Sequence, residues 1–371
     1  MAARTEAATQ PPVVAGSTDS PWLTPLRDRV LAAVADFLDT RCSDSLHGAH
    51  VDIAEGVLRG MLAEGKCVRS GYLYLGWQCG ARPSEATVRA AASLELLHAF
   101  ALVQDDVMDE SDMRRGRPSA HRAFERWHQE RGLPGSSARF GESAAVLLGD
   151  LCLVWAEQML RESGVGATAL ARAWPRYDAM RTELAVGQFA DLVNDSAGFP
   201  SLAEVLDVAR RKSGNYTVRR PLEIGAALAG CDDTVLGVLG RYGGAIGEAF
   251  QLRDDLLGVF GAPATTGKPT GTDLIARKAT TVVVAGYELA SGAQQRQFKE
   301  FMTADHLSSD DVTRWQALIS EVGTVKWIED MIGQRYTEAV EALGSLGPSQ
   351  LDTGARSALI TMASACTERT A

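Results

Sequence analysis

Residues 84–109 read SEATVRAAASLELLHAFALVQDDVMD, and this stretch decides the fold class. It opens on Ser84-Glu85, a helix-start signal, and then stays apolar on nearly every face for several turns. A helix that is hydrophobic all round belongs in the middle of a bundle rather than on a surface. The run ends on carboxylates. Asp105 and Asp109 stand four apart, so they share one helical face with Asp106 beside them. Like charges repel there, and a helix C-terminus already carries partial negative charge. Such an end is stable only with something cationic between the carboxylates. A hard, oxygen-seeking ion such as Mg²⁺ suits it, as do the nearby Arg114 and Arg115.

Working outward, helical periodicity continues through 141–163, 166–193, 202–212, 234–260, 277–291 and 324–344. The breaks at 131–139, 194–200, 230–234 and 261–273 are too short for interdomain linkers, and no alternating strand pattern appears. The β-branched run Thr280–Ala285 lies inside a helical segment. The expectation is one all-α bundle from residue 21 onward with a central apolar cavity, preceded by a disordered tail over 1–20. A length of 371 residues favours two domains only as a soft prior.

The helix at 234–260 repeats the acidic ending in Gln251-Leu252-Arg253-Asp254-Asp255. A Gly/Thr/Pro loop follows with Lys268 and Asp273, then Lys278. Two further cationic groups are Lys212-Ser213, ahead of an expected break, and Gly65-Lys66-Cys67-Val68-Arg69. One acidic pair arises easily by accident. Two apolar helices with acidic ends, separated by basic sets, describe the mouth of a cavity that clamps Mg²⁺-diphosphate from two sides.

The net charge of −10 excludes a nucleic-acid partner, which needs a basic face. Local sign matters more for a small polyanion. Six cysteines without Cys-x-x-Cys spacing give no zinc motif and fit a reducing, cytoplasmic setting. No secretory signal opens the chain, and no uninterrupted apolar run reaches the roughly 18 residues of a membrane span.

The strings LLHAFALVQDDVMDESDMRRGRPSAH, FQLRDDLLGVFG, TGKPTGTDL and GKCVRS resemble the trans-type polyprenyl diphosphate synthases, over roughly residues 25–365. Geranylgeranyl diphosphate synthases of actinobacteria are the nearest pattern. The resemblance implies an Mg²⁺-dependent homodimeric prenyltransferase that joins isopentenyl diphosphate to allylic diphosphates. Asp105, Asp109 and Asp254 would hold three Mg²⁺, with Asp106 and Asp255 supporting. Arg114, Lys212, Ser213, Gln251, Lys268 and Lys278 would meet the allylic diphosphate. Lys66, Arg69, His98 and Arg115 would bind isopentenyl diphosphate. Gln188 would face the reacting chain, with Asp191 on the same helix. Read alone, His98 is a core histidine with a backbone partner, and Gln188 and Asp191 are an exposed polar face. Phe199, Trp127 and Trp155 read as packing.

The chain departs from the family pattern at several places. Gly258 replaces a third Asp of the second motif, as in related actinobacterial enzymes. Cys67 and Ser70 replace Arg and Pro, Ser213 a Thr, Gln104 a His, and Ala279 an Arg. Phe100 and Ala101, five and four residues before Asp105, would form the floor beneath the growing chain. A single aromatic there resembles the pattern linked with twenty carbons, with farnesyl diphosphate as the alternative product. Two other readings share the fold: a class I terpene cyclase, which lacks a second aspartate pair, and a non-catalytic subunit, which loses aspartates.

Overall fold

The computed structural model describes residues 23–46, 52–63, 65–197, 199–262 and 270–368. The tail expected at 1–20 and Lys268 lie outside the described residues. The helices in chain order are α1 (Leu23–Ser45), α2 (Asp52–Leu62), α3 (Val68–Gln78), α4 (Glu85–Met108), α5 (Ala120–Glu130), α6 (Ser137–Arg161), α7 (Ala167–Ala197) and α8 (Leu202–Val208). A π-helical segment (Ala209–Arg219) joins α8 directly to α9 (Arg220–Ala229), and α10 (Asp233–Phe260) follows. The remainder is α11 (Thr272–Ile275), α12 (Thr281–Leu289), α13 (Gly292–Thr303), α14 (Ser309–Glu321), α15 (Thr324–Gly344) and α16 (Thr353–Thr367). Among the described residues the only sheet is a hairpin of two-residue strands, β1 (Met113–Arg114) and β2 (Arg117–Pro118).

The all-α expectation holds, and α4 is central as its composition requires. Val88, Leu94, Leu96, Leu97 and Val103 are buried around its circumference. Its start is fixed by the Thr87 hydroxyl, which accepts the Ser84 N–H at 2.9 Å. α6 lies antiparallel to it. Gln104 near the top of α4 donates to the Val146 carbonyl at 3.4 Å, and Arg89 near the bottom donates to the Ser163 carbonyl at 2.8 Å. Gln104 thus ties the two helices near the top.

One apolar core joins α1, α3, α4, α6, α7 and α9 to the first half of α10. A second, around Trp315, Phe298, Val282 and Ile328, packs on the second half of α10. α10 therefore runs through both, and its Asp254 and Asp255 lie on the half that packs on the second core. Trp127 stacks on Phe140, Trp155 meets Phe37 edge-on and Phe199 stacks on Tyr287, so all three are engaged in aromatic packing.

Three sequence expectations need correction. The break expected after Lys212 does not occur, because residues 202–229 are helical throughout and the π-helical segment carries Lys212 and Ser213. Gly214, which reads as a breaker, is instead where this segment touches α10. A Cβ on Gly214 would lie 2.8 Å from the Gly247 carbonyl carbon, so both glycines are spacers for close helix contact. The run 277–291 is helical only from Thr281. By length and composition, α4 and α6 do reach the threshold for a membrane span. Charged groups spaced along each helix hid this from a search for uninterrupted apolar runs. In α4 the most apolar stretch is 67% buried inside the bundle, which makes it a core helix.

Candidate active site

The acidic end of α4 is built by a hairpin that folds back over it. Arg115 and Gly116 both have positive φ, 52° and 73°, as a two-residue type I′ turn requires. The turn pairs Arg114 with Arg117 and returns Arg114 onto the helix end. Its guanidinium donates to Asp106 from Nε at 3.0 Å and to Asp105 from Nη2 at 3.2 Å. Asp106 is fully buried, and its backbone carbonyl accepts the Ser111 N–H at 2.9 Å. Asp106 thus acts on Arg114 and on the turn, beneath the surface that Asp105 and Asp109 present.

Lys212 approaches from the π-helical segment. Its ammonium is 2.6 Å from Asp191 of α7 and 3.0 Å from Asp105 Oδ1. The second contact is not aligned as a hydrogen bond, so this buried oxygen has charge opposite it but no directed donor. Burial works against the Lys212 charge, but Asp105 and Asp191 outweigh it and hold the ammonium above the usual lysine range. Burial likewise pushes the Asp105 carboxyl up, while Lys212, Arg114 and Lys278 outweigh it and keep it below its ordinary value. The two backbones meet at Gly187, where a Cβ would lie 2.6 Å from the Lys212 amide nitrogen.

The second acidic end faces the first through Lys278. Its ammonium pairs with Asp109 of α4, while its backbone N–H donates to the Asp273 carbonyl at 3.0 Å. Asp254 is half-buried at the end of α10. Asp255 points into the protein. Its carboxylate accepts from the Gln251 amide at 2.7 Å and from the Thr281 N–H, at the start of α12, at 3.1 Å. Burial pushes its carboxyl up to about 7 against those two donors. Gln251 is therefore committed to Asp255, and Asp255 to docking α12 on α10. Among the described residues no three His, Cys, Asp or Glu side chains gather into a metal-binding set. Arg114, Lys212 and Lys278 stand between the carboxylates instead.

A separate cationic pocket lies beside α3. The Arg69 guanidinium sits 4.3 Å from the centre of the Tyr216 ring and donates to Thr217 Oγ1 at 3.0 Å. His98 lies beside Tyr216, with ring centroids 6.3 Å apart, and its buried Nδ1 has no hydrogen-bond partner. Burial, then Arg69, Arg115 and Arg114, push its pKa well below the usual value, so the ring is neutral. The backbone partner expected of a core histidine is absent at that nitrogen. Arg115 donates to the Met61 carbonyl at 3.3 Å, and Lys66 is exposed at the rim. At the two departures here, Cys67 is buried with φ of 52°, and Ser70 donates to buried Glu95 at 2.6 Å. Burial and then Glu95 hold the Cys67 thiol well above its ordinary range.

Arg69, His98 and Arg115 thus form one group, with Lys66 exposed nearby in sequence, while Asp105, Asp109, Arg114, Lys212 and Lys278 form another. Ser213 is half-buried next to Lys212, and Phe100 and Ala101 are half-buried on α4 below Asp105. Gln188 Nε2 is buried without a partner, and Asp191 holds Lys212, so neither belongs to a plain exposed face. Tyr216 escaped the sequence reading although it stands in the polar string Lys212-Ser213-Gly214-Asn215-Tyr216-Thr217, four residues after a named cation. Its ring lies against Arg69 and His98, and its hydroxyl is buried without a hydrogen-bond partner.

The model of the polyprenyl synthetase family matches residues 51–319. Geranylgeranyl diphosphate synthase of Mycobacterium tuberculosis is 32% identical over 76% of this chain and 75% of its own. A (2E,6E)-farnesyl diphosphate synthase of Mycobacterium bovis is also 32% identical, over 76% of this chain and 74% of its own. The crystal structure of geranylgeranyl pyrophosphate synthase from Corynebacterium glutamicum, complexed with isoprenyl diphosphate and magnesium, superposes with a TM-score of 0.89. It is 35% identical and covers 94% of this chain and 99% of its own. An acidic end on α4 paired with Lys278, a second on α10 docked on Thr281 three residues further along, a neighbouring cationic pocket and these likenesses lead to one conclusion: the chain is a prenyltransferase of the polyprenyl synthetase family.

Proposed function

We propose that the protein condenses isopentenyl diphosphate with allylic diphosphates to give geranylgeranyl diphosphate. One observation carries this reading: Lys278 pairs with Asp109 of α4 while Thr281, three residues on, docks on Asp255 of α10, so one short segment touches both acidic motifs. The donor set suits Mg²⁺, since both ends offer hard carboxylate oxygens, and Asp105 Oδ1 lacks a directed donor. Asp105, Asp109 and Asp254 would hold three ions, with Asp255 positioning α10 from behind. Bound there, Mg²⁺ would supply the positive charge that lets diphosphate leave. Arg114, Lys212, Ser213 and Lys278 meet the allylic diphosphate as its charge develops.

Lys66, Arg69, His98 and Arg115 hold isopentenyl diphosphate without metal. The allylic C–O bond breaks with its electron pair on the diphosphate oxygen. The isopentenyl double bond then forms the new C–C bond, and the departing diphosphate takes the proton released next to it. Apolar faces of α4 keep water from the cation. Incubating the purified protein with Mg²⁺, isopentenyl diphosphate and each allylic primer tests this. A twenty-carbon diphosphate is expected, whereas a cyclic hydrocarbon made from geranylgeranyl diphosphate alone would overturn it.

Chain length rests on Phe100, about 7 Å below Asp105 along the helix. Phe100→Ala is expected to shift the main product to twenty-five carbons or more by chromatography. Unchanged length places the floor elsewhere.

The protein also reads as a homodimer. α6 exposes Val146, Leu147 and Val154, and α7 exposes Val186, Phe189, Leu192 and Val193, with Phe189 75% exposed. Arg181 of α7 bonds Glu157 of α6 at 2.8 Å, so both stripes belong to neighbouring helices. A second copy covers such a face without a change in composition. Phe189→Asp is expected to convert dimer to monomer in light scattering, and a wild-type monomer would refute the assignment. With α4 buried and α6 half-covered, the apolar helices fit an enzyme dissolved in the cytoplasm.

A further inference from the structure

Gly258 lies on α10 one turn beyond Asp254, so position 258 shares the face that carries the second acidic end. The space beside it is not open. A Cβ built on Gly258 would lie 1.8 Å from Asp273 Oδ2, 2.6 Å from its Cγ and 3.2 Å from Oδ1. The Asp273 carboxylate thus sits where a side chain at 258 would stand, and no residue other than glycine leaves it there.

The backbone fixes this placement. Gly271, in the left-handed region with φ of 74°, starts α11 and puts Asp273 in its first turn. The Asp273 carbonyl then accepts the Lys278 N–H at 3.0 Å, which binds the same short segment to the cation that reaches Asp109. The Asp273 charge is also felt at buried Asp255. Two separate elements therefore converge on one place, α10 through a missing side chain and α11 through a carboxylate.

We propose that Asp273 supplies the third carboxylate of the second acidic end from the neighbouring segment, and that Gly258 is the gap that admits it. This rests on the reading of the site as a holder of Mg²⁺-diphosphate. Asp273 acts as a positioning residue: its carboxylate orders the shell around the ion held by Asp254 and does not touch the reacting carbons. The glycine in the motif is then a relocation of charge and not a loss of it.

The test is a titration of Mg²⁺ into the full-length protein with inorganic diphosphate, followed by calorimetry, alongside isopentenyl diphosphate binding without metal. Asp273→Asn keeps the shape and removes the charge. It should raise the half-saturating Mg²⁺ concentration about 10-fold or more, the usual effect of losing an outer-shell carboxylate, and leave isopentenyl diphosphate affinity unchanged. Gly258→Ala should match it by expelling Asp273, and the two together should be no worse than either alone. The exchange Gly258→Asp with Asp273→Gly should restore the wild-type Mg²⁺ titration. That rescue separates charge placement from a packing role, which an exchange cannot repair. Wild-type Mg²⁺ affinity in folded Asp273→Asn, or failure of the exchange to rescue a folded protein, overturns the proposal. If wild-type protein binds diphosphate without any need for Mg²⁺, the broader reading of the site fails instead.

Discussion

Replacing Asp105 by Asn is expected to lower kcat about 10³-fold while leaving the melting temperature nearly unchanged. The loss corresponds to roughly 4 kcal/mol of transition-state stabilisation. Asn keeps the volume but removes the charge that would hold a metal ion and balance Lys212 and Arg114. Both cations keep a second partner in the variant, Lys212 in Asp191 and Arg114 in Asp106. No buried charge is therefore left alone, and the fold loses little. Steady-state kinetics at saturating Mg²⁺ and a thermal melt read the two effects separately. A parallel fall in melting temperature would show that Asp105 serves the fold and not the chemistry.

Gly187→Ala is expected to cut kcat by about 10²-fold although residue 187 carries no functional group. Its Cβ would lie 2.6 Å from the Lys212 amide nitrogen and 2.9 Å from its Cα. Backbone cannot turn aside as a side chain can, so α7 and the π-helical segment must part. A displacement of roughly 1 Å at Lys212 is enough to misplace its ammonium relative to a bound diphosphate. Asp191, also on α7, would retreat with the wall of the site. Isopentenyl diphosphate binding, proposed for Arg69 and His98, should change far less. An Ala variant with normal kcat would mean that the π-helical segment yields elsewhere.

The acidic helix ends were legible because helical spacing and charge are both written in the chain. Asp105, Asp109, Arg114, Lys212 and Lys278 converge as their types and positions suggest. What stayed hidden depends on depth and on non-local backbone. Asp254 and Asp255 are adjacent letters, yet one lies near the mouth and the other is buried against α12. A π-helical turn has no signature in a period of 3.6, so Gly214 read as an interruption where it is a contact. Tyr216 was passed over for the same reason, since its face cannot be assigned without that extra residue per turn. The β-turn at Arg115-Gly116 could have been inferred from the glycine, but not that it would deliver Arg114 onto Asp106.

The ion pairs across the mouth have a thermodynamic corollary. Lys212, Arg114 and Lys278 already stand as counter-charges to Asp105, Asp106 and Asp109. A dication arriving alone would compete with Lys212 and Arg114 at Asp105 and with Lys278 at Asp109, and a diphosphate arriving alone would strip the carboxylates of their counter-charges. On the proposed reading the two together would make a double exchange, in which Lys212, Arg114 and Lys278 trade carboxylate for phosphate while Asp105 and Asp109 trade their cations for metal. Each visitor would then raise the affinity for the other by the same factor, as linkage demands. On that reading the mouth would work as a coincidence detector, closed to either half of its cargo and open to the pair.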